Sequence, residues 1–153
     1  MVPLDPIPRP IDHVARGEPD AIALVDRRGQ WTFAELEAAV GAVACWLAAQ
    51  GCAAGDRVAS WLPKTRLACI LPLAVSRAGL VHVPINPALR RAQVAHILAD
   101  SGTGLLVTQA AREATLEPGD AGGCRIVAEN DVSMTGARVA PSAADPDSLA
   151  AIL

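Results

Sequence analysis

Apolar and polar positions along this chain switch repeatedly between two periods, and the switching predicts a regular succession of strands and helices. Ala21-Ile22-Ala23-Leu24-Val25 reads as a strand, Arg28-Gly29 supplies a turn, and Gln30-Trp31-Thr32-Phe33 returns as its hairpin partner. Thr32-Phe33-Ala34-Glu35 is a capping box, in which the threonine hydroxyl accepts the Glu35 amide and the carboxylate reaches back. Leu36, Val40, Val43 and Leu47 then follow on one helical face, and Gly51 is placed to end that helix in the left-handed conformation.

The alternation continues downstream. Arg57 to Leu62 is a strand closed by Pro63, and a helix from Thr65 to Ala78 stops at Gly79. Pro72 lies inside that helix, where a proline costs about 3 kcal/mol unless accommodated, so a bend or a restart is expected there. Leu80 to Ile85 is the next strand, turned out by Asn86-Pro87; a helix over Arg90 to Ala99, a strand at Gly104 to Thr108, a brief helix near Ala110 to Leu116 and a strand at Arg125 to Ala128 follow. Strands and helices alternating at this spacing predict an α/β fold, a mostly parallel sheet with helices on both faces. The proline-rich start reads as an extended arm with a short helix at Ile11 to Arg16, and residues 1–132 as one α/β unit. Residues 133–153 read as a linker and the first part of a further strand, whose apolar run Leu149 to Leu153 would be an unpaired edge able to recruit other chains.

Composition narrows the function classes. With 52% hydrophobic and 19% charged residues over 153 positions, the chain is globular. A net charge of −3 gives no reason to expect nucleic acid as a partner. The longest apolar run, Leu67 to Val75, is about half of the ~20 residues a membrane-spanning helix needs, and the start lacks the basic and apolar stretches of a signal peptide. The expected compartment is the cytoplasm. There Cys45, Cys52, Cys69 and Cys124, without a CxxC pair, are expected to be mostly buried apolar residues and not a zinc site. His13, His82 and His96 are far apart and read as structural or solvent-facing; Trp31, Trp46 and Trp61 read as packing residues, and Asp56-Arg57 as a surface turn.

Taken in order, Trp31-Thr32-Phe33-Ala34-Glu35-Leu36, Gly55-Asp56-Arg57-Val58, Arg77-Ala78-Gly79 and Val83-Pro84-Ile85-Asn86-Pro87 resemble the start of adenylate-forming enzymes, the acyl-CoA synthetases, luciferases and peptide-synthetase adenylation domains. Two motifs of that superfamily, roughly L-T-Y-x-E-L and L-K-A-G-x-x-x-V-P-L-x-P, are matched with Phe33 for tyrosine and Ser76-Arg77 for leucine-lysine. The likeness runs from about Asp12 to Leu153, and Asn86 to Thr108 looks most like the acyl-CoA ligases of bacterial exosortase and exopolysaccharide loci. Asp147 to Leu153 resembles the strand that precedes the family's glycine-rich ATP loop.

The resemblance implies an N-terminal portion of an AMP-forming acyl-CoA ligase. Such an enzyme uses Mg and ATP to turn a carboxylate into an acyl-adenylate, and passes the acyl group to CoA. By the same resemblance the catalytic groups lie downstream of Leu153, so no catalytic residue is assigned, and the chain is expected to be inactive alone and to bind none of these molecules strongly. Arg90 and Arg91, opening a helix beside the Asn86-Pro87 turn, are the candidate contacts for CoA phosphates; a solvated basic edge is the plainer reading. Ser101-Gly102-Thr103-Gly104 imitates a phosphate loop but precedes a strand, whereas such a loop must follow one and open a helix, so it reads as a helix cap and turn. Two alternatives remain: a free-standing α/β interaction module or degenerate remnant, and a small Rossmann-like nucleotide domain, against which the missing G-x-G-x-x-G counts.

Overall fold

The computed structural model describes residues 18–140 and 148–153. The helix expected at Ile11 to Arg16 and part of the expected linker lie outside them. Contacts divide the chain into two compact units that meet between Ala39 and Val40.

The first unit holds a hairpin. Strands β1 (Ile22–Asp26) and β2 (Gly29–Thr32) pair antiparallel, with a bulge between Ile22 and Leu24. The Asp26 carboxylate accepts the Arg28 amide at 2.8 Å and so fixes the turn. Helix α1 (Phe33–Ala49) opens with the capping box: Thr32 N–H donates to Glu35 Oε2 at 2.7 Å, and Glu35 N–H to Thr32 Oγ1 at 3.2 Å. Thr32→Ala removes the oxygen that receives the Glu35 amide, and a chemical-denaturation midpoint is expected to report a loss of about 1 kcal/mol. Leu36, Val40, Val43 and Leu47 are all buried, as the spacing requires.

The second unit is a parallel sheet in the order β4-β3-β5-β6, with β3 at Arg57–Trp61, β4 at Val81–Pro84, β5 at Leu105–Thr108 and β6 at Arg125–Ala128. Val58, Ala59, Leu105, Leu106 and Val107 are essentially inaccessible, the continuous burial of parallel strands covered on both faces. On one face Ala59, Trp61, Val83, Ile85 and Leu106 form a core with Val94 and Leu98 of helix α3 (Arg91–Ser101). Helix α2 (Arg66–Arg77) links β3 to β4; its cap is Thr65, whose Oγ1 accepts the Ala68 amide at 3.2 Å. Short helix α4 (Ala110–Glu113) links β5 to β6.

The structure corrects the expectation for the cysteines and narrows two others. Helix α2 does not restart at Pro72 but runs unbroken through it. Pro72 is exposed, so a carbonyl left without its intrahelical donor has access to water. None of the four cysteines is fully buried: Cys69 is exposed and the others are half-buried, because leucine, valine and alanine fill the core instead. Finally, the terminal run is not wholly unpaired: one of its sides joins β4, and its outer side remains an edge. Ala151 bridges His82 in parallel, with His82 N–H donating to Ala150 O and Ile152 N–H to His82 O, both at 2.9 Å. Ile152 packs against the core, whereas Leu149 and Leu153 stay exposed.

Gly41 sits inside α1, where a glycine is costly, but a Cβ there would stand only 3.0 Å from the Cβ of Arg138. Its carbonyl accepts the Val139 amide at 3.2 Å, so the missing side chain lets the 138–139 segment lie directly on the helix.

Candidate functional site

The strand order fixes where a ligand crevice would form. From β3 the chain moves to β4 on one side and later to β5 on the other, so the connections diverge at the carboxyl ends of β3 and β5, the point at which open α/β sheets bind ligands. Trp61 ends β3 and Thr108 ends β5, directly paired. The Thr108 hydroxyl, fully buried, donates to the Trp61 carbonyl at 2.9 Å and ties the two ends together.

Arg112, one helical turn past β5, reaches back over this edge. Its guanidinium carbon lies 4.9 Å from the centroid of the Trp61 ring, and Nη1 donates to the Pro87 carbonyl at 2.9 Å. Trp61 is 3% exposed, yet its indole Nε1 has no hydrogen-bond partner among the described residues. Beyond β4, Asn86 Oδ1 accepts the Ala88 amide at 2.9 Å and shapes the turn leading to Arg90. Across the far end of the edge, Gln109 Nε2 donates to Glu129 Oε2 at 2.9 Å.

The two arginines singled out from the sequence have different surroundings. Arg91 is held by acids: it pairs with Glu117 and, through Nε at 3.0 Å, with Asp120. Asp120 Oδ2 also accepts the Glu117 amide at 2.7 Å, so the pair clamps the first turn of α3 to the loop between α4 and β6. Arg90 is exposed; it caps α3, and its backbone amide donates to Gln93 Oε1 at 3.1 Å. Sequence spacing gave no sign of the Glu117 and Asp120 partners, nor of the Trp61–Arg112 contact. In each case the partners are 26 to 51 positions apart and meet only through the crossovers.

Gly102, at φ +62°, ends α3 in the left-handed region, so Ser101-Gly102-Thr103-Gly104 is the helix cap and turn expected of it. Ser60 Oγ and His82 Nε2 are 2.9 Å apart in the sheet interior, and burial lowers the His82 pKa to about 4. Burial also pushes the Cys124 thiol up to about 11, which leaves it protonated and a poor nucleophile at neutral pH. Among the described residues no cluster of three or more His, Cys, Asp or Glu could hold a metal ion, and no helix is long and apolar enough to cross a membrane.

Known proteins share both sequence and fold with this chain. It is 38% identical over 85 residues to a medium-chain fatty-acid–CoA ligase of Escherichia coli, a match covering 55% of this chain and 15% of that protein. It is 35% identical over 89 residues to a probable non-canonical nonribosomal peptide synthetase, CymA, of Salinispora arenicola, covering 58% of this chain and 1% of that one. The chain therefore spans only a small part of the relatives it matches. Apo MatB from Rhodopseudomonas palustris superposes with a TM-score of 0.79 at 30% identity, covering 89% of this chain and 29% of MatB. The N-terminal subdomain of NpsA from Klebsiella oxytoca superposes equally well, with a TM-score of 0.79 at 21% identity, a likeness of fold. Residues 11–153 match the model of the AMP-binding enzyme family. By that match the chain belongs to the AMP-binding, adenylate-forming enzymes, of which it forms an N-terminal α/β portion.

Proposed function

We propose that the chain is the N-terminal part of an ATP-dependent, AMP-forming acyl-CoA ligase and scaffolds the adenylation and acyl sites without forming them alone. The observation that carries this reading is the family match over residues 11–153 together with the likeness to the fatty-acid–CoA ligase. The geometry agrees. The segment at Ala151 runs parallel beside β4, so continuing chain would leave at the same carboxyl edge as Trp61, Thr108 and Asn86. A phosphate-binding loop following that strand would then sit on the ligand side of the sheet. Magnesium and ATP would be held by such downstream groups. The likeness of Asn86 to Thr108 to ligases of exopolysaccharide loci, and a cytoplasmic location, belong to this reading. Arg90 is the better placed of the two candidate CoA phosphate contacts, because Arg91 already has two carboxylate partners.

A second reading, amino-acid adenylation for a carrier-bound thiol, is favoured by the likeness to peptide synthetases. ATP–pyrophosphate exchange by the full-length protein separates the two: exchange dependent on medium-chain carboxylates, followed by thioester formation on CoA, is expected. Exchange dependent on amino acids alone would move the assignment to the second reading. No exchange with either class would leave a non-catalytic interaction module or remnant. The 153-residue chain by itself is expected to show no saturable Mg-ATP binding by calorimetry, and saturation would overturn the division of labour proposed here.

A further inference from the structure

We propose that Arg112 is a positioning residue for the CoA-binding step: it holds the turn from Asn86 to Arg90 in place at the carboxyl edge, an assignment that rests on the ligase reading and on Arg90 as the CoA contact. One side chain joins three strand ends. Its guanidinium stacks on the Trp61 ring at the end of β3, it projects from the helix that follows β5, and Nη1 holds the Pro87 carbonyl beyond β4 at 2.9 Å. The underside of this arrangement is rigid, since Trp61 is buried and its carbonyl is bound by the buried Thr108 hydroxyl. Among the described residues the hydrogen bonds within the turn are short-range, Ala88 N–H to Asn86 Oδ1 and Leu89 N–H to Asn86 O, while the Leu89 side chain packs against the core and Arg90 is bonded into the first turn of α3. Arg112 adds to that packing a polar tie at Pro87, on the side of the turn that Leu89 does not hold. A planar guanidinium can stack and donate at once, whereas an ammonium keeps the charge without the fixed fork.

The test compares Arg112→Ala and Arg112→Lys in two experiments. In hydrogen exchange on the 153-residue chain, Arg112→Ala is expected to speed the Ala88 and Leu89 amides about tenfold or more, with the core amides of Leu98 and Leu106 unchanged. Arg112→Lys is expected to fall between the two. In the full-length ligase, Arg112→Ala is expected to raise the KM for CoA about tenfold at a kcat within about twofold, with Arg112→Lys partly restoring it. Faster exchange throughout the sheet would reduce Arg112 to general stability and overturn the proposal, as would an unaltered turn. A loosened turn with an unaltered KM for CoA would overturn the link to binding, while wild-type turnover would still uphold the ligase reading. If the wild-type ligase itself fails to turn over, that reading falls and the catalytic half of this proposal falls with it.

Discussion

Trp61→Ala is expected to destabilise the chain by about 3 kcal/mol, whereas Trp61→Phe is expected to stay within about 1 kcal/mol of wild type. The ring is 3% exposed and belongs to the core shared by three strands and α3. Truncating such an aromatic side chain ordinarily costs about 3–5 kcal/mol through lost burial and the cavity left behind. Two smaller effects act in opposite directions. Losing the face beneath Arg112 removes about 0.5–1 kcal/mol of cation–π attraction, while losing the indole removes a buried N–H that has no acceptor among the described residues, a burden of about 1–3 kcal/mol. Phenylalanine keeps the aromatic face and discards the orphan donor, so its smaller volume is largely compensated. Urea unfolding of both variants checks this. A phenylalanine variant as damaged as the alanine variant would mean that the indole shape, and not the aromatic face, is what the core needs.

The second large effect is acid sensitivity through His82. The imidazole is 4% exposed, bonded to Ser60 and held near pKa 4 by burial. In the unfolded chain it takes up its proton near pH 6.5; in the folded chain it does so only near pH 4. Its contribution to stability is therefore complete above pH 6.5 and declines as the pH falls toward 4. Well below that it changes no further, at a cumulative loss of about 3 kcal/mol. His82→Gln keeps a hydrogen-bonding partner for Ser60 but cannot titrate. The difference in unfolding free energy between wild type and His82→Gln is expected to shrink by about that amount from pH 7 to pH 4. A difference independent of pH would show that the imidazole reaches solvent when it protonates.

Local chemistry made much of the fold readable in advance. The Thr32–Glu35 box, the Thr65 to Gly79 helix and the Gly102 cap each depend on residues within a few positions of one another, so the sequence carries them directly. Parallel pairing has no such local signature. The partner of Ala151 is a strand on the other side of two complete crossovers, and nothing near Leu149 to Leu153 points to it. The same reason hid the candidate site. Trp61 could be read as a core residue from its strand, but its contact with Arg112 depends on β5 lying beside β3. The cysteines failed for another cause: their general preference for burial says little where larger aliphatic residues already fill the interior.

The bridge between His82 and Ala151 also sets an order of events during synthesis. The two residues lie roughly 70 positions apart, and β5 and β6 are made in between. At about 5–20 residues per second, the outer side of β4 waits about 4–14 s after its own synthesis before the terminal segment has been added. Throughout that interval a nascent chain on the ribosome presents an open row of backbone donors and acceptors to its neighbours on the same message.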